Sequence, residues 1–212
     1  LGVVVAGLSG VVSGTLSFSF ESSASIGWSN PSAGTSYDWT HHSGTTPSYN
    51  TGPPLGAADG RFYIYTETSS PRPLGENYSL GYDGSGCAEL IGSVHFSYHM
   101  YGAAVGTLVV RDGDGSVAWS RSGAVDDQWH RASVELLSTR FTFVGVPGSS
   151  SDGDIAVDDV AVQCVASPSP PSPSPSPDPP SSNALNSTGV TSSPLTAGNG
   201  TDTNSSGNGT DG

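Results

Sequence analysis

The residues best suited to chemistry are the acidic side chains in the segment Gly153–Cys164. The segment alternates as a β-strand does, and strict alternation places Asp158 on the same face as Val160 and Val162. A carboxylate on a core-facing side is costly unless it finds a partner. Asp158 therefore either reaches water or an arginine at the strand end, or helps other acidic residues to hold a cation.

Other short motifs that could do chemistry give weaker signals. His41 and His42 are adjacent, and no third His or Cys stands at zinc-site spacing, so we interpret them as polar loop residues. The run Asp112–Gly115 resembles the start of an EF-hand loop but lacks its sixth-position glycine and closing glutamate, and it predicts a hairpin turn. The chain has neither a Gly-x-Ser-x-Gly nor a His-Glu-x-x-His motif, so we predict no enzymatic activity for these residues.

Charge excludes one class of partner. The formal net charge is -13, and the six basic residues, all arginines, form no basic stripe. A nucleic-acid partner is therefore not expected, because nothing would displace counterions from its phosphates.

The apolar run 1–8 is too short to cross a bilayer, so we predict no membrane insertion by these residues. It is either the remnant of a secretion signal or an ordinary apolar strand or linker.

The elements that must position these side chains are short strands. Roughly eight to ten strands with turn signals, and no amphipathic helical window between them, predict an all-β sandwich or jelly roll. Val94, Phe96, Tyr98 and Met100 make one apolar strand face. The segment 69–86 is predicted to be turns. Trp28 and Trp39 lie in predicted loops, and we expect them to cap the hydrophobic core. The stretch 1–15 is assigned to a lead or linker, and 16–166 to the jelly-roll domain.

The composition changes after Ala166. Residues 167–182 are a Ser/Pro tract that predicts a stiff polyproline II linker. Residues 183–212 have no aromatic or basic side chain and are predicted to be a disordered C-terminal tail. Four glycosylation sequons there suggest a glycosylated stalk, although such a composition also generates sequons by chance. With a fifth sequon inside the domain, the predicted glycosylation sites are Asn77, Asn186, Asn199, Asn204 and Asn208.

Taken in order, several motifs resemble the MAM domain, the extracellular module of meprins, neuropilins and receptor tyrosine phosphatases. The resemblance covers about residues 18–165, and its most specific parts are Tyr98–Gly102 and Gly153–Ala156. It implies a two-sheet antiparallel jelly roll without catalytic activity that binds a protein or glycan partner at the cell surface or in the extracellular matrix. The matching pieces are Phe20-Glu21, Gly27-Trp28, Asp38-Trp39, Thr51-Gly52-Pro53, Tyr63–Ser69, Cys87, Phe96–Gly102, Gly106-Thr107-Leu108, Trp119, Gln128-Trp129 and Gly153–Val160.

The resemblance also implies a disulfide. MAM domains usually carry four cysteines in two bridges, and here the long-range pair is present as Cys87 and Cys164. The short N-terminal pair is absent, and its positions fall near Phe18 and Ile26. We expect these two apolar residues to pack where the bridge would have been.

A calcium site is implied in the same way. Some MAM-like jelly rolls hold a structural Ca²⁺ between the first and last strands, and Glu21 and Asp158 match that arrangement. Asp59 is the next candidate ligand, followed by Asp159 and Asp154. A set of oxygen ligands suits a hard cation better than zinc.

Three functions stay open on the sequence. The first is a non-catalytic extracellular adhesion or interaction module, carried on a glycosylated stalk. The second is a carbohydrate-binding module in which Trp28 or Trp39 stacks on a sugar ring. The third is an accessory domain of a larger secreted protease. The fold alone does not separate the first two.

Overall fold

In the computed structural model, residues 14–23, 26–32, 35–71 and 76–168 are described. Within these ranges the chain forms eleven β-strands, and no helix that could cross a membrane is found there. The predicted lead 1–15, linker 167–182 and tail 183–212, with the four tail sequons, lie almost wholly outside these ranges. The strands are β1 (Gly14–Phe18), β2 (Trp28–Ser29), β3 (Thr40–Ser43), β4 (Phe62–Tyr65), β5 (Tyr78–Tyr82), β6 (Leu90–Met100), β7 (Thr107–Arg111), β8 (Val117–Ser122), β9 (His130–Ser138), β10 (Phe141–Val146) and β11 (Ile155–Val165).

The strands build two sheets. One has the order β3-β4-β11-β6-β9, with β1 also paired to β11, and the other has the order β2-β5-β10-β7-β8. The strand pairs described are all antiparallel. Phe18 of the first strand lies opposite Val160 of the last. The all-β sandwich predicted from the strand pattern, and the two antiparallel sheets that the resemblance implies, are therefore confirmed.

The apolar core fills the space between the sheets. Val94, Phe96 and Met100 of β6 are fully buried and Tyr98 nearly so, as their alternation predicts. They meet aromatic residues of the five-stranded sheet, and the rings of Phe96 and Phe143 lie 4.9 Å apart. Each such side chain contributes about 1.5–3 kcal/mol relative to an exposed one.

The loop tryptophans cap this core, as predicted. The ring centroid of Trp28 lies 5.1 Å from that of Tyr82 and 5.4 Å from that of Phe18. Trp39 is only 8% exposed. Ile26, by contrast, is 85% exposed and does not pack with Phe18. The prediction that Phe18 and Ile26 fill the place of a missing bridge is therefore wrong, because Trp28 packs against Phe18 instead.

One covalent link ties the last strand to the loop before β6. Cys87 and Cys164 form a disulfide across a sequence separation of 77 residues, as the resemblance implies. Closing a loop of this length costs the unfolded chain about 4–5 kcal/mol of conformational entropy in the simple chain model. That figure is comparable with the net stability of a whole domain.

Two strands lie where turns or loops were predicted. Strand β5 falls inside the segment 69–86, whose many turn residues hide a five-residue alternation of Tyr78, Leu80 and Tyr82 toward the core. Strand β3 contains His41 and His42, whose rings lie against β4: His41 stacks on Phe62 at 4.7 Å. Both strands are short, with four residues in β3 and five in β5, and Gly81 inside β5 is a residue that strands disfavour.

The last strand carries a β-bulge at its acidic pair. Its pairing with β6 shifts register between Asp158 and Ala161, and Asp159 has a φ of 47°. Val157 and Val160 consequently both face the core, and Asp158 lies on the outer face of the sheet. Placing Asp158 on the face of Val160 is therefore wrong, since one extra residue reverses the alternation.

Candidate functional site

The β3–β4 loop (residues 44–61) lies over the outer face of the six-stranded sheet. Between the loop and this face, a second small cluster buries Tyr63, Tyr65 and Ala156, with Ala57 of the loop and Trp129 packed against it. Long irregular segments in compact domains are uncommon and usually functional. The loop is held in place mainly by acidic and hydroxyl side chains of the strands around it.

Asp158 is the central anchor of the loop. Its Oδ2 accepts hydrogen bonds from the amides of Ala58 at 2.8 Å and Asp59 at 2.9 Å, and Oδ1 accepts one from Asp159 at 2.7 Å. The side chain is fully buried. Burial raises its pKa to about 6, even though the backbone donors favour the ionised form. Hydrogen bonds to an ionised acceptor are about twice as strong as neutral ones.

Glu21, which follows the first strand by three residues, anchors the end of the same loop. Its Oε1 accepts hydrogen bonds from the amides of Arg61 at 2.7 Å and Phe62 at 2.8 Å. These donors, that of Phe62 first, hold the pKa of Glu21 below its ordinary value. Gly60 permits the approach: its φ is +66°, and a Cβ there would lie 2.4 Å from Oε1.

Further contacts fix the middle of the loop. The Thr51 hydroxyl donates to the carbonyl of Tyr101 at 2.9 Å and accepts from the amide of Asp154 at 2.9 Å. The indole Nε1 of Trp129 donates to the carbonyl of Gly56 at 2.9 Å. The loop therefore has a defined conformation along most of its length.

Asp154 lies below the loop and is hydrogen-bonded less completely than Asp158. It is fully buried, and its Oδ1 accepts a hydrogen bond from the amide of Thr68 at 3.2 Å. The Thr68 hydroxyl lies 2.9 Å from both Oδ1 and the carbonyl of Ser151, and its one hydrogen is shared between them. The Oδ2 of Asp154 has no donor among the described residues, because the nearby Thr46 hydroxyl donates to the carbonyl of Thr51 at 2.8 Å. Burial raises the pKa of Asp154 to about 6. At neutral pH the sheet therefore carries a buried charge that is only half satisfied.

The outer side of the loop is apolar at its tips. Tyr49 is 86% exposed and Leu55 is 97% exposed. Beside Tyr49 runs a cleft of about 400 Å³, lined by residues 45–54 together with Tyr101 and Asp127. This arrangement offers hydroxyl and carbonyl groups, one carboxylate and apolar surface to a ligand.

A buried histidine lies next to the carboxylate of the cleft. His99 is fully buried, its Nε2 lies 3.4 Å from Asp127 Oδ1, and its ring packs edge-on against Trp129. Burial lowers the pKa of His99, which keeps the ring neutral at physiological pH.

The predicted calcium ligands come together only in part. Glu21, Asp59 and Asp158 all lie along the same loop, whereas Asp159 forms an ion pair with Arg131. Within the described residues, no group of three or more acidic, His or Cys side chains is placed to hold a metal ion. Glu21 and Asp158 instead accept hydrogens from backbone amides. The calcium site therefore stays a prediction.

Some residues of the site were missed by sequence reasoning. Asp154 was ranked only as a reserve metal ligand, and the hydroxyls of Thr46, Thr51 and Thr68 were given no role. No local pattern distinguishes a threonine that bonds within a loop from one that faces water. Trp129 was noted only as part of a motif, and its indole contact with Gly56 depends on the fold.

Sequence comparison points to one family. The chain matches the family described as MAM domain, meprin/A5/mu, over residues 18–165. It is 36% identical over 138 residues to the rat MAM domain-containing glycosylphosphatidylinositol anchor protein 1, covering 58% of this chain and 14% of that protein. It is 34% identical over 146 residues to the mouse anchor protein 2, covering 58% and 15%. The chain thus spans about one seventh of the length of these relatives.

Solved structures show the same fold at low identity. The K2 cleaved adhesin domain of Lys-gingipain matches with a TM-score of 0.52 and 15% identity, over 70% of this chain and 99% of that one. The K1 domain, from Porphyromonas gingivalis W83, matches with a TM-score of 0.51 and 17% identity, over 72% and 99%. At such identity the likeness establishes the architecture only.

We predict that Asp154→Asn leaves stability unchanged or raises it at pH 7.5. The amide removes a buried charge, and its Nδ2 can donate to the Thr46 hydroxyl where Oδ2 now lacks a donor. Because the folded pKa lies above the unfolded value, the free energy of unfolding falls as pH rises from about 4 to about 6. The decrease in the free energy of unfolding between pH 5 and pH 7.5, measured by urea denaturation, should be smaller for the variant than for the native protein. His99, with a lowered pKa, shifts stability in the opposite direction in both proteins.

Asp158→Asn is the matched change with the opposite outcome. An amide keeps only one acceptor oxygen and turns an NH2 group toward a backbone N–H, so an amide of the loop or the bulge loses its partner. We expect a loss of about 1–3 kcal/mol in the same urea titration at pH 7.5. Equal losses for the two variants would contradict the different roles assigned to the two carboxyls.

The calcium hypothesis has a direct test of its own. Ligand that binds only the folded state raises the melting temperature by mass action. If Glu21 and Asp158 hold Ca²⁺, the melting temperature in millimolar calcium should exceed that in EDTA, and Glu21→Gln should reduce the difference. Magnesium at the same concentration is the ionic-strength control. An identical melting temperature in calcium and EDTA would overturn the hypothesis.

Proposed function

The chain belongs to the MAM family, and on that basis we propose that it is a non-catalytic module that binds a protein partner through the β3–β4 loop. The domain is extracellular, as its cell-surface relatives are, and it is an interaction module. Because the relatives are several times longer, whatever the whole protein does is also a proposal here. We further propose that the Ser/Pro segment 167–182 and the sequon-rich 183–212 carry the module as a glycosylated stalk.

One observation supports this choice of surface above all. Two large side chains, Tyr49 and Leu55, are almost fully exposed on a loop whose backbone is fixed by Glu21 and Asp158. Binding normally costs free energy because loops and side chains must be ordered. A loop that is already ordered avoids most of that cost. The free energy gained by burying its apolar side chains against a partner is then largely retained as binding affinity. Tyrosine is also among the residues most enriched in protein interfaces.

A glycan partner is the second candidate for the same surface. Tyr49 stands beside a cleft lined by Thr45, Thr46, Ser48 and Asn50, which could bond sugar hydroxyls while the ring stacks on the sugar. Trp28 and Trp39, named for this role from the sequence, do not support it, because both rings pack into the core. Changing either would test the fold rather than binding.

We predict that Tyr49→Ala and Leu55→Ala weaken binding without weakening the fold. Both side chains are exposed, so melting temperatures should stay within the error of the native protein. Binding of the purified domain to cell surfaces, and clustering of beads coated with it, should fall about tenfold or more for each variant, as for an interface hot spot. A glycan array run with the same proteins identifies a sugar partner.

Leu137→Ala supplies the matched control. Leu137 is also an exposed leucine, at 74%, but it lies on β9 away from the loop. The proposal expects this variant to bind like the native protein. Full binding by folded Tyr49→Ala and Leu55→Ala proteins would show that the loop is not the contact surface.

A further inference from the structure

A second cleft, of about 690 Å³, lies on the outer face of the five-stranded sheet. The alternation of β5 creates it, because Tyr78 and Tyr82 face the core while Ser79 and Gly81 face outward. Asn77, the residue before the strand, also lines the cleft. Its volume falls in the range of pockets that hold drug-sized ligands.

Small residues form the floor of this outer cleft. Gly81, Ser79 and Thr142 leave room above the sheet, and Pro31 forms one wall. Pro31 lies close to Gly81, because a Cβ on Gly81 would be 3.2 Å from Pro31 Cγ. A larger side chain at position 81 would therefore narrow the cleft.

Two arginines, Arg111 and Arg140, line the end of the outer cleft opposite Pro31. The guanidinium of Arg111 donates to the carbonyl of Gly115 at 2.8 Å, and that of Arg140 donates to the carbonyl of Gly113 at 3.0 Å. Both also line the cleft, together with Asp112. Each arginine has five donor hydrogens, so donors remain for a ligand beside the carboxylate and hydroxyl acceptors. This mixture suits a neutral molecule rich in hydroxyl groups.

The rim of the cleft carries a site where such a molecule can be attached. Asn77 is exposed and begins the sequon Asn77-Tyr78-Ser79 in a domain that is extracellular. We propose that Asn77 carries an N-linked glycan, and that its first sugars lie in the outer cleft over Ser79 and Gly81 toward Arg140.

Covalent attachment explains why this cleft suits the chain's own glycan better than a free sugar. Its aromatic lining residues, Tyr82 and Phe141, are each only 1% exposed, so they offer no ring face for stacking. Hydrogen bonds to sugar hydroxyls alone give weak binding, because water competes for the same groups. A short tether provides an effective concentration in the millimolar range, at which weak binding suffices.

The glycan would cover one sheet and leave the other free. The outer cleft belongs to the five-stranded sheet, whereas the β3–β4 loop lies on the six-stranded one. This inference depends on the extracellular location and not on the proposed role of Tyr49 and Leu55. The two proposals can therefore fail separately.

The test is the rate at which an endoglycosidase removes the Asn77 glycan from the folded protein. The full chain is produced in a secretory host that adds high-mannose glycans, treated with endoglycosidase H, and followed by mass spectrometry of the Asn77 peptide. The reference site is made by Ser120→Asn, which completes a sequon with Ser122 on the exposed strand β8. We expect release from Asn77 to be about tenfold slower than from the reference site, which corresponds to about 1.4 kcal/mol.

Two further measurements link any protection to the cleft. After denaturation both sites should release their glycans equally fast. Thr142→Tyr places a ring in the cleft and should raise the native rate at Asn77 to that of the reference site, with an unchanged melting temperature. The proposal is overturned if Asn77 is not glycosylated where the reference site is, if both native sites react equally fast, or if Thr142→Tyr leaves the slow rate unchanged.

Discussion

The buried carboxylate of Asp158 is the interaction on which the outer half of this structure depends. It links the central strand of the larger sheet to two consecutive amides of the β3–β4 loop, Ala58 and Asp59, and to the amide of its own neighbour Asp159. A carboxylate is the one side chain that can accept from three backbone donors in so small a space. Without it those amides would lie unpaired against a sheet, at a cost comparable with that of burying the charge.

The bulge in β11 makes this arrangement possible. By adding one residue it turns Asp158 away from the apolar core while Val157 and Val160 both remain inside. The domain therefore has two layers with different physics. Between the sheets, aromatic and aliphatic packing provides stability. On the outer face, hydrogen bonds to the carboxylates of Asp158 and Glu21 fix the shape of a loop.

The sequence predicted the first layer well and the second poorly. Alternation in β6 identified Val94, Phe96 and Met100 as core residues, because a strand that packs on one face has a period of two. The same rule failed at Asp158, since a bulge leaves no mark in the residue pattern before pairing partners are known. The importance of Asp158 was nevertheless visible, because an acidic residue inside an apolar strand requires a partner. Glu21 lies near Asp158 in the fold because the first and last strands pair, and this pairing is not visible in the residue pattern of either strand.

If the carboxylates hold the β3–β4 loop to the sheet, the loop amides must be protected from solvent. Hydrogen–deuterium exchange of the amides of Ala58, Asp59, Arg61 and Phe62 measures this directly, since a bonded amide exchanges only when its contact opens. Our account predicts exchange as slow as that of amides in the middle of β11. Exchange at the rate of an unstructured peptide at these four positions would contradict it.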